Sequence, residues 1–371
     1  MGTIVSVKNV SKTFPVGKTL LGRPDKFVHA VNNVSFDIQE GETFSVVGES
    51  GCGKSTTGRL IDHLLIPDSG EIWFEDKEIS KISQEEMRPL RKDIQMIFQD
   101  PAGSLNPRMR VEELVEEPLL IHTNLSKEER MKIVHELLET VGLSAKHAKR
   151  YPHEFSGGQK QRIGIARALT VRPKLIIADE PISALDVSIQ AQVLNLLHDL
   201  QQKFNLTYMF ISHDLSVVEM ISDRIAVMYL GFVVEMAPKT ELYAKPSHPY
   251  TQALLSAVPI PDPGHQKERI ILEGDIPSTI NLPKGCPFAA RCKKCKPECL
   301  ERRPETKEIE PGHFVACHLL NQCPRTGCGW CGGVVRLGFI DVWGSGLPWR
   351  HRGSCRPAGR LVWEPWCSGG S

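Results

Sequence analysis

Apolar positions along the chain switch between two periods. TFSVV (43–47), LIIA (175–178) and TYMFIS (207–212) are short, unbroken runs rich in β-branched and aromatic residues. Such runs suit strands covered on both faces. Between them the period becomes helical. Ser126 and Glu129 have capping-box spacing, Met131, Val134, Leu137, Leu138 and Val141 then mark one face, and Gly142 supplies a stop. A second stripe begins near Asp186 or Ser188 and carries Ile189, Val193, Leu196, Leu197, Leu200 and Phe204. These stripes are core positions and carry no chemistry. The alternation predicts one α/β unit over residues 1–245, built on a mainly parallel sheet, with a helical subdomain at about 100–165. No internal repeat marks a second unit.

The pattern then changes. Prolines crowd residues 246–284 (Pro246, Pro249, Pro259, Pro261, Pro263, Pro277 and Pro283), which predicts an extension laid over the surface of the first unit. A cysteine cluster follows, and the extension closes at about residue 320. Residues 321–371 have no helical or strand period, no lysine, six arginines and five of the six tryptophans. So many tryptophans are unusual for a disordered tail. The segment reads as an atypical end, disordered or frameshifted, without which a chain ending at Leu320 keeps its activity.

Composition adds limits. The chain has 371 residues, 41% hydrophobic and 24% charged, with a net charge of +1. That charge gives no broad field for nucleic acid or an anionic membrane. No apolar run is long enough to span a bilayer and no signal-peptide core is evident, which predicts a cytosolic protein that reaches a membrane through a partner.

The chemistry starts after the first strand-like run. GESGCGKST at 48–56 places glycines at Gly48, Gly51 and Gly53, so that backbone N–H groups close round phosphate without Cβ clashes. A following helix points its positive end at the same anion. Glu49, Ser50, Cys52 and Thr56 complete the loop; Lys54 is placed for the β- and γ-phosphates and the Ser55 hydroxyl for Mg²⁺. Cys52 reads as a small loop residue; the alternative is a thiol acidified by the helix dipole and open to alkylation. LIIADE at 175–180 ends a buried strand on Asp179, suited to magnesium, and Glu180, suited to the base that orients an attacking water. Together these describe a P-loop NTPase.

FSGGQKQR at 155–162 adds a helix start in which Ser156 caps while Gly157 and Gly158 bare backbone N–H groups, next to Gln159. This segment resembles the signature motif of ATP-binding cassette (ABC) ATPases, with Phe155 in place of the usual leucine. The resemblance implies a head-to-tail pair of cassettes, each signature closing on its partner's ATP. It further implies that Gln99 in QMIFQDP (95–101) is the Q-loop glutamine, sensing Mg²⁺ and γ-phosphate. Asp186 in SALD (183–186) would face the other subunit, and His213 in ISHD (211–214) would be the switch histidine. Phe14 stands where the family stacks an aromatic on adenine, with Phe27 as a rival. The span from Lys54 to Ser156 suits a compact helical subdomain and leaves no room for long coiled coils.

IFQDPAGSLNPRMRV (97–111) and KPSHPYTQALLSAVP (245–259) are similar to segments of oligopeptide and dipeptide importer ATPases. In the second, Ser247 or the Pro249 turn starts a helix whose Tyr250, Ala253, Leu254 and Ala257 face docks on the cassette. Cys286, Cys292, Cys299 and Cys317, with Cys295 and His318 nearby, lie where this group can carry a [4Fe–4S] cluster. Four thiolates suit an iron–sulfur cluster, the preferred reading, or zinc; uncoordinated thiols are the other alternative. The implied assembly has two permease subunits, a second identical or homologous ATPase and an extracytoplasmic solute-binding protein, with this chain peripheral on the cytoplasmic face of the cell membrane. The competing readings are an ATPase for nickel or another small solute, and a soluble, non-transport cassette ATPase.

Overall fold

The computed structural model describes residues 2–17, 25–258, 269–275 and 277–322; the remainder of the 321–371 tail lies outside the described residues. Two long strands, β1 (Thr3–Val16) and β2 (Lys26–Gln39), open the chain, followed by β3 (Thr43–Val47) and helix α1 (Lys54–Ile61). Next come β4 (Ser69–Phe74), β5 (Lys77–Glu78), α2 (Gln84–Met87) and β6 (Ile94–Ile97). Three helices follow: α3 (Val111–His122), α4 (Lys127–Thr140) and α5 (Gly157–Leu169). The chain returns through β7 (Leu175–Asp179), α6 (Val187–Phe204), β8 (Thr207–Ser212), α7 (Leu215–Ile221), β9 (Arg224–Tyr229) and β10 (Phe232–Pro238). The last part holds α8 (Lys239–Ala244), α9 (Pro249–Ser256), α10 (Pro297–Glu301), β11 (Thr306–Glu310) and β12 (His313–Ala316).

Among the described residues the strands form two sheets. The larger has the order β11-β12-β10-β9-β3-β8-β7-β6. Its β9-β3-β8-β7-β6 portion is parallel, whereas β10, β12 and β11 are joined antiparallel. The sheet is therefore mixed: its five-stranded core is parallel, as expected, and antiparallel strands extend one edge. The reason is local: β9 and β10 form a tight hairpin through Leu230 and Gly231, both at positive φ, and a tight turn can only return a strand antiparallel. The smaller sheet, β2-β1-β4-β5, is antiparallel throughout.

The two faces of the parallel strands bury different cores, because successive side chains point to opposite sides. Ile176, Ala178, Tyr208 and Phe210 join the cluster that packs against the helices. Leu175, Ile177, Met209 and Ile211 join the one under the smaller sheet. Helix α4 starts where the sequence places it: Ser126 caps the Glu129 N–H, the Glu129 carboxylate accepts from the Ser126 N–H at 2.8 Å, and the helix stops just before Gly142 at φ 77°. Helices α3, α4 and α5 pack on one another.

The extension is more deeply joined than a strap laid over a surface. Strand β12 pairs with β10 through Glu235↔Val315 and Met236↔Phe314, so the sheet of the first unit continues into the second. Glu235, 1% exposed, accepts from the backbone N–H groups of Ser247 (2.8 Å) and His248 (2.9 Å) and lies 2.7 Å from His313 Nε2. One buried carboxylate thus joins β10, the start of α9 and β12.

Candidate nucleotide site

Strand β3 is buried along its whole length and ends at Val47, so the chain must leave the sheet abruptly at Gly48. A Cβ at Gly48 would lie 2.2 Å from the Met228 carbonyl oxygen, and one at Gly53 2.2 Å from that of Ala30. With φ at 151° and 102° respectively, neither position accepts an L side chain without moving main chain. Gly53 caps α1, whose first residue is Lys54. The Lys54 ammonium is 4% exposed and donates to the carbonyls of Gly48 (2.8 Å) and Glu49 (3.1 Å), which holds it across the loop. Ser55, one position on, directs its hydroxyl to Asp179 Oδ1 at 2.7 Å.

The parallel strands β6, β7 and β8 deliver the rest at their carboxyl ends. Glu180 follows β7 and has φ 46°, a left-handed conformation that costs a non-glycine residue free energy and is most often retained at functional sites. Its N–H donates to the Ile211 carbonyl of β8 at 3.0 Å, which fixes the turn. The carboxylate lies between two predicted partners: Gln99 Nε2 donates to Oε2 at 2.8 Å, and His213 Nδ1 stands 3.3 Å from Oε1. Burial raises the pKa of Asp179, an effect that the Ser55 hydrogen bond opposes.

A cleft of 710 Å³ collects these groups. Its lining includes Phe14, Gly48, Glu49, Ser50, Gly51, Gly53, Lys54, Ser55, Thr56, Gln99, Glu180 and His213. Phe14 is among them and Phe27, 45% exposed, is not. The donors suit magnesium: a hydroxyl, a carboxylate and an amide oxygen are hard oxygen ligands.

The signature residues lie elsewhere. Ser156, Gly157, Gly158 and Gln159 do not line this cleft, and neither does Asp186. Ser156 caps α5, with reciprocal bonds to Gln159 of 3.4 and 3.1 Å. Gly158 faces Ile189 so closely that a Cβ would come within 2.5 Å of its side chain, bringing the starts of α5 and α6 together. Ser156, Gly157, Asp186 and Val187 are all exposed, Val187 at 82%. This chain therefore carries the P-loop cleft and the signature surface at separate places.

Two readings find no support. Cys52 is 4% exposed, and burial raises its thiol pKa despite the Lys54 charge, so it is not an acidified, alkylatable group. The cysteine cluster also departs from the expected ligand set. Cys286 and Cys299 are buried, Cys292 and Cys317 are partly buried, and Cys295 is exposed. Among the described residues no three His, Cys, Asp or Glu side chains converge as a metal site requires. Burial, with the nearby Cys299, Cys317 and Cys292 thiols, raises the Cys286 pKa to about 12. His318 is engaged with the Arg302 carbonyl at 2.8 Å. The described side chains give no support for the [4Fe–4S] cluster, and no step below uses one.

Two residues of the extension that the sequence does not place at the nucleotide site also reach it; Tyr250 is expected from sequence only on the helix face that docks on the cassette. The Tyr250 hydroxyl of α9 accepts from the Glu49 N–H at 3.0 Å, and Arg291 Nη1 lies 2.8 Å from Glu49 Oε2. Tyr250 could be found as part of an apolar helix face. Arg291, amid the cysteines and far along the chain, gives no sequence signal.

Comparison with known proteins agrees with this geometry. Residues 31–183 match the family model described as ABC transporter, and residues 234–299 the one described as Oligopeptide/dipeptide transporter, C-terminal region. The oligopeptide transport ATP-binding protein AppF of Bacillus subtilis is 56% identical over 320 residues, which is 85% of this chain and 97% of AppF. The dipeptide transport ATP-binding protein DppF of Escherichia coli is 49% identical over 314 residues, 85% of this chain and 93% of DppF. The dimeric post-hydrolysis structure of the ATP-binding cassette MJ0796 bound to ADP and Pi is 34% identical with a TM-score of 0.58, covering 63% of this chain and 98% of that one. With its P-loop cleft, its exposed signature helix and an extension that matches the transporter C-terminal region, the chain belongs to the ABC transporter ATPases, in the family of ATP-binding subunits of oligopeptide and dipeptide transporters.

Proposed function

We propose that two cassettes pair head-to-tail, hydrolyse ATP between the P-loop cleft of one and the Ser156 helix start of the other, and thereby drive uptake of di- or oligopeptides through two membrane permease subunits. The observation that carries the catalytic part is the Glu180 carboxylate, held between Gln99 and His213 in the cleft that contains Lys54 and Ser55. The exposed Ser156, Gly157, Asp186 and Val187 supply a complementary surface, and the MJ0796 cassette provides a dimeric precedent.

In this reading Phe14 stacks on adenine, while Lys54 and the loop N–H groups of residues 48–56 neutralise the phosphates. Ser55, Asp179 and Gln99 hold Mg²⁺, which when bound offsets charge on the β- and γ-phosphates. Glu180 orients the attacking water and accepts its proton; His213 holds the carboxylate and contacts the γ-phosphate. Ser156, Gly157, Gly158 and Gln159 of the mate present a second helix start to the same phosphates, and Asp186 lies at the seam.

The permeases seat beside the Q-loop. A groove of 270 Å³ there is lined by Leu64, Phe98 and Ile121, exposed at 45%, 37% and 53%. Isolated exposed apolar residues are ordinary, but three around one groove next to Gln99 suit an apolar helix of a permease. No described helix is long and apolar enough to cross a membrane. The chain is accordingly peripheral on the cytoplasmic face, and the cargo is selected by the permeases and a solute-binding protein. The peptide assignment rests on the match over 234–299 and on the likeness to AppF and DppF. Its test is a membrane pull-down with the full chain: peptide-transporter permeases and a second cassette should co-purify, and recovery only of unrelated permeases, or of none, would refute it.

A further inference from the structure

Glu49 is the second residue of the phosphate loop and is held from three directions. Its carbonyl accepts from Lys54, its N–H donates to the Tyr250 hydroxyl at 3.0 Å, and its carboxylate pairs with Arg291 at 2.8 Å. The last two partners belong to the extension. The pair is well shielded, with the Arg291 side chain 9% and the Glu49 side chain 24% exposed. Tyr250 is fully buried in an aromatic cluster, 4.7 Å from Tyr229 and 5.3 Å from Phe288 by ring centroids. Tyr229 ends β9, which pairs with the strand that feeds the loop. A second cavity of 530 Å³ shares Glu49 and Leu254 with the nucleotide cleft and is lined by Arg269 and Arg291.

The charge arithmetic makes this pairing consequential. A loop built to surround phosphate gains from positive potential and loses from a carboxylate on its own backbone. Glu49 lines that cleft, so its charge, if unpaired, repels the incoming triphosphate through a poorly screened medium. Arg291 cancels the charge and draws the side chain towards the extension. Tyr250 meanwhile fixes the main chain at the same residue.

We propose that Arg291 is a positioning residue of the nucleotide site: by pairing with Glu49 it removes a repulsive charge from the phosphate loop, so the extension is an electrostatic part of the ATPase. This rests on the ATP-hydrolysis reading above and adds a regulatory connection to it. Any event that moves Arg291 off Glu49 weakens ATP binding without touching the chemistry.

Steady-state ATPase assays on the full-length chain test it. Arg291→Ala should raise KM for ATP about tenfold, with kcat altered by less than about twofold, the size expected when a shielded charge loses its partner. Arg291→Lys should retain most of the affinity. Glu49→Gln should lower KM, since it removes the repulsive charge and leaves Arg291 positive. The double variant should fall within about twofold of Glu49→Gln. A purely structural salt bridge predicts instead that both single variants raise KM and that neither rescues the other. That result, or an unchanged KM in Arg291→Ala, overturns the proposal, and Glu49→Gln decides the matter even if Arg291→Ala does not fold. Failure of the unaltered protein to hydrolyse ATP would refute the underlying reading instead.

Discussion

Gln99 Nε2 donates a 2.8 Å hydrogen bond to Glu180 Oε2, joining the end of β6 to the end of β7 directly across the nucleotide cleft. Gln99 follows Phe98, which lines the apolar groove beside the Q-loop. In the proposed assembly, a permease pressing on that groove would act, one residue later, on the Glu180 carboxylate proposed to orient the attacking water. Docking and hydrolysis would then share a hydrogen bond.

That arrangement sets the expected behaviour of Glu180→Gln. The amide keeps the shape of the carboxylate but cannot accept the proton of the water. ATP binding should persist, turnover should fall at least about a hundredfold, and closed dimers should accumulate on size-exclusion chromatography with ATP. Hydrolysis at the unaltered rate would remove Glu180 from the role of base.

In the proposed dimer Ser156 has two separable functions. As the cap of α5 it is worth about 1 kcal/mol, which Ser156→Ala should cost in a denaturation curve. Ser156→Arg should leave ATP binding by the monomer close to normal, because the residue does not line the P-loop cleft, while turnover is lost at the dimer seam. If monomer binding collapsed with turnover, the head-to-tail arrangement would be in doubt.

Asp62 gives a pH prediction. It ends α1, and burial, against the pull of Arg91, raises its pKa from 3.8 to about 7. The folded chain therefore holds a proton, between those two values, that the unfolded chain has released. The stability this group contributes is complete below about pH 4 and lost as pH rises through about 7. Asp62→Asn should flatten that dependence and be more stable than the parent at pH 8, by about 2 kcal/mol. Parallel stability–pH curves for the two proteins would show that Asp62 is not the responsible group.

Glu235 should be among the most sensitive residues away from the cleft. Burial depresses the pKa of neighbouring His248 to about 4, so that ring stays neutral, while Glu235 serves His313 and two backbone N–H groups. Glu235→Ala leaves all three without their acceptor and should cost roughly 3–5 kcal/mol. Urea unfolding is the measurement, and a loss below about 1 kcal/mol would contradict the described packing.

The sequence revealed most where the determinants are local. A capping box needs four residues, and Ser126 and Glu129 set the start of α4 to the residue. Helix α9 resolves the earlier choice between Ser247 and Pro249: Pro249 is its first residue and His248 its cap. The P-loop, Asp179, Glu180 and His213 were legible because each follows a buried strand. What sequence did not reveal depends on distance along the chain. Nothing near Glu49 foretells a partner 242 positions away, and nothing in TKEIE or HFVA says that they extend a sheet begun at β3. The cysteines suggested a metal group that the described residues do not support, since thiol count says nothing of convergence.

The continuation of the sheet from β10 into β12 bears on how such proteins can be recombined. A chimaera cut between residues 245 and 246 would divide a hydrogen-bonded ladder and separate Glu235 from the backbone and histidine it serves. The family model for the C-terminal region begins at residue 234, inside β10, so it too takes in most of that strand. Transplanting this extension onto a foreign cassette therefore requires the donor's own last cassette strand to travel with it.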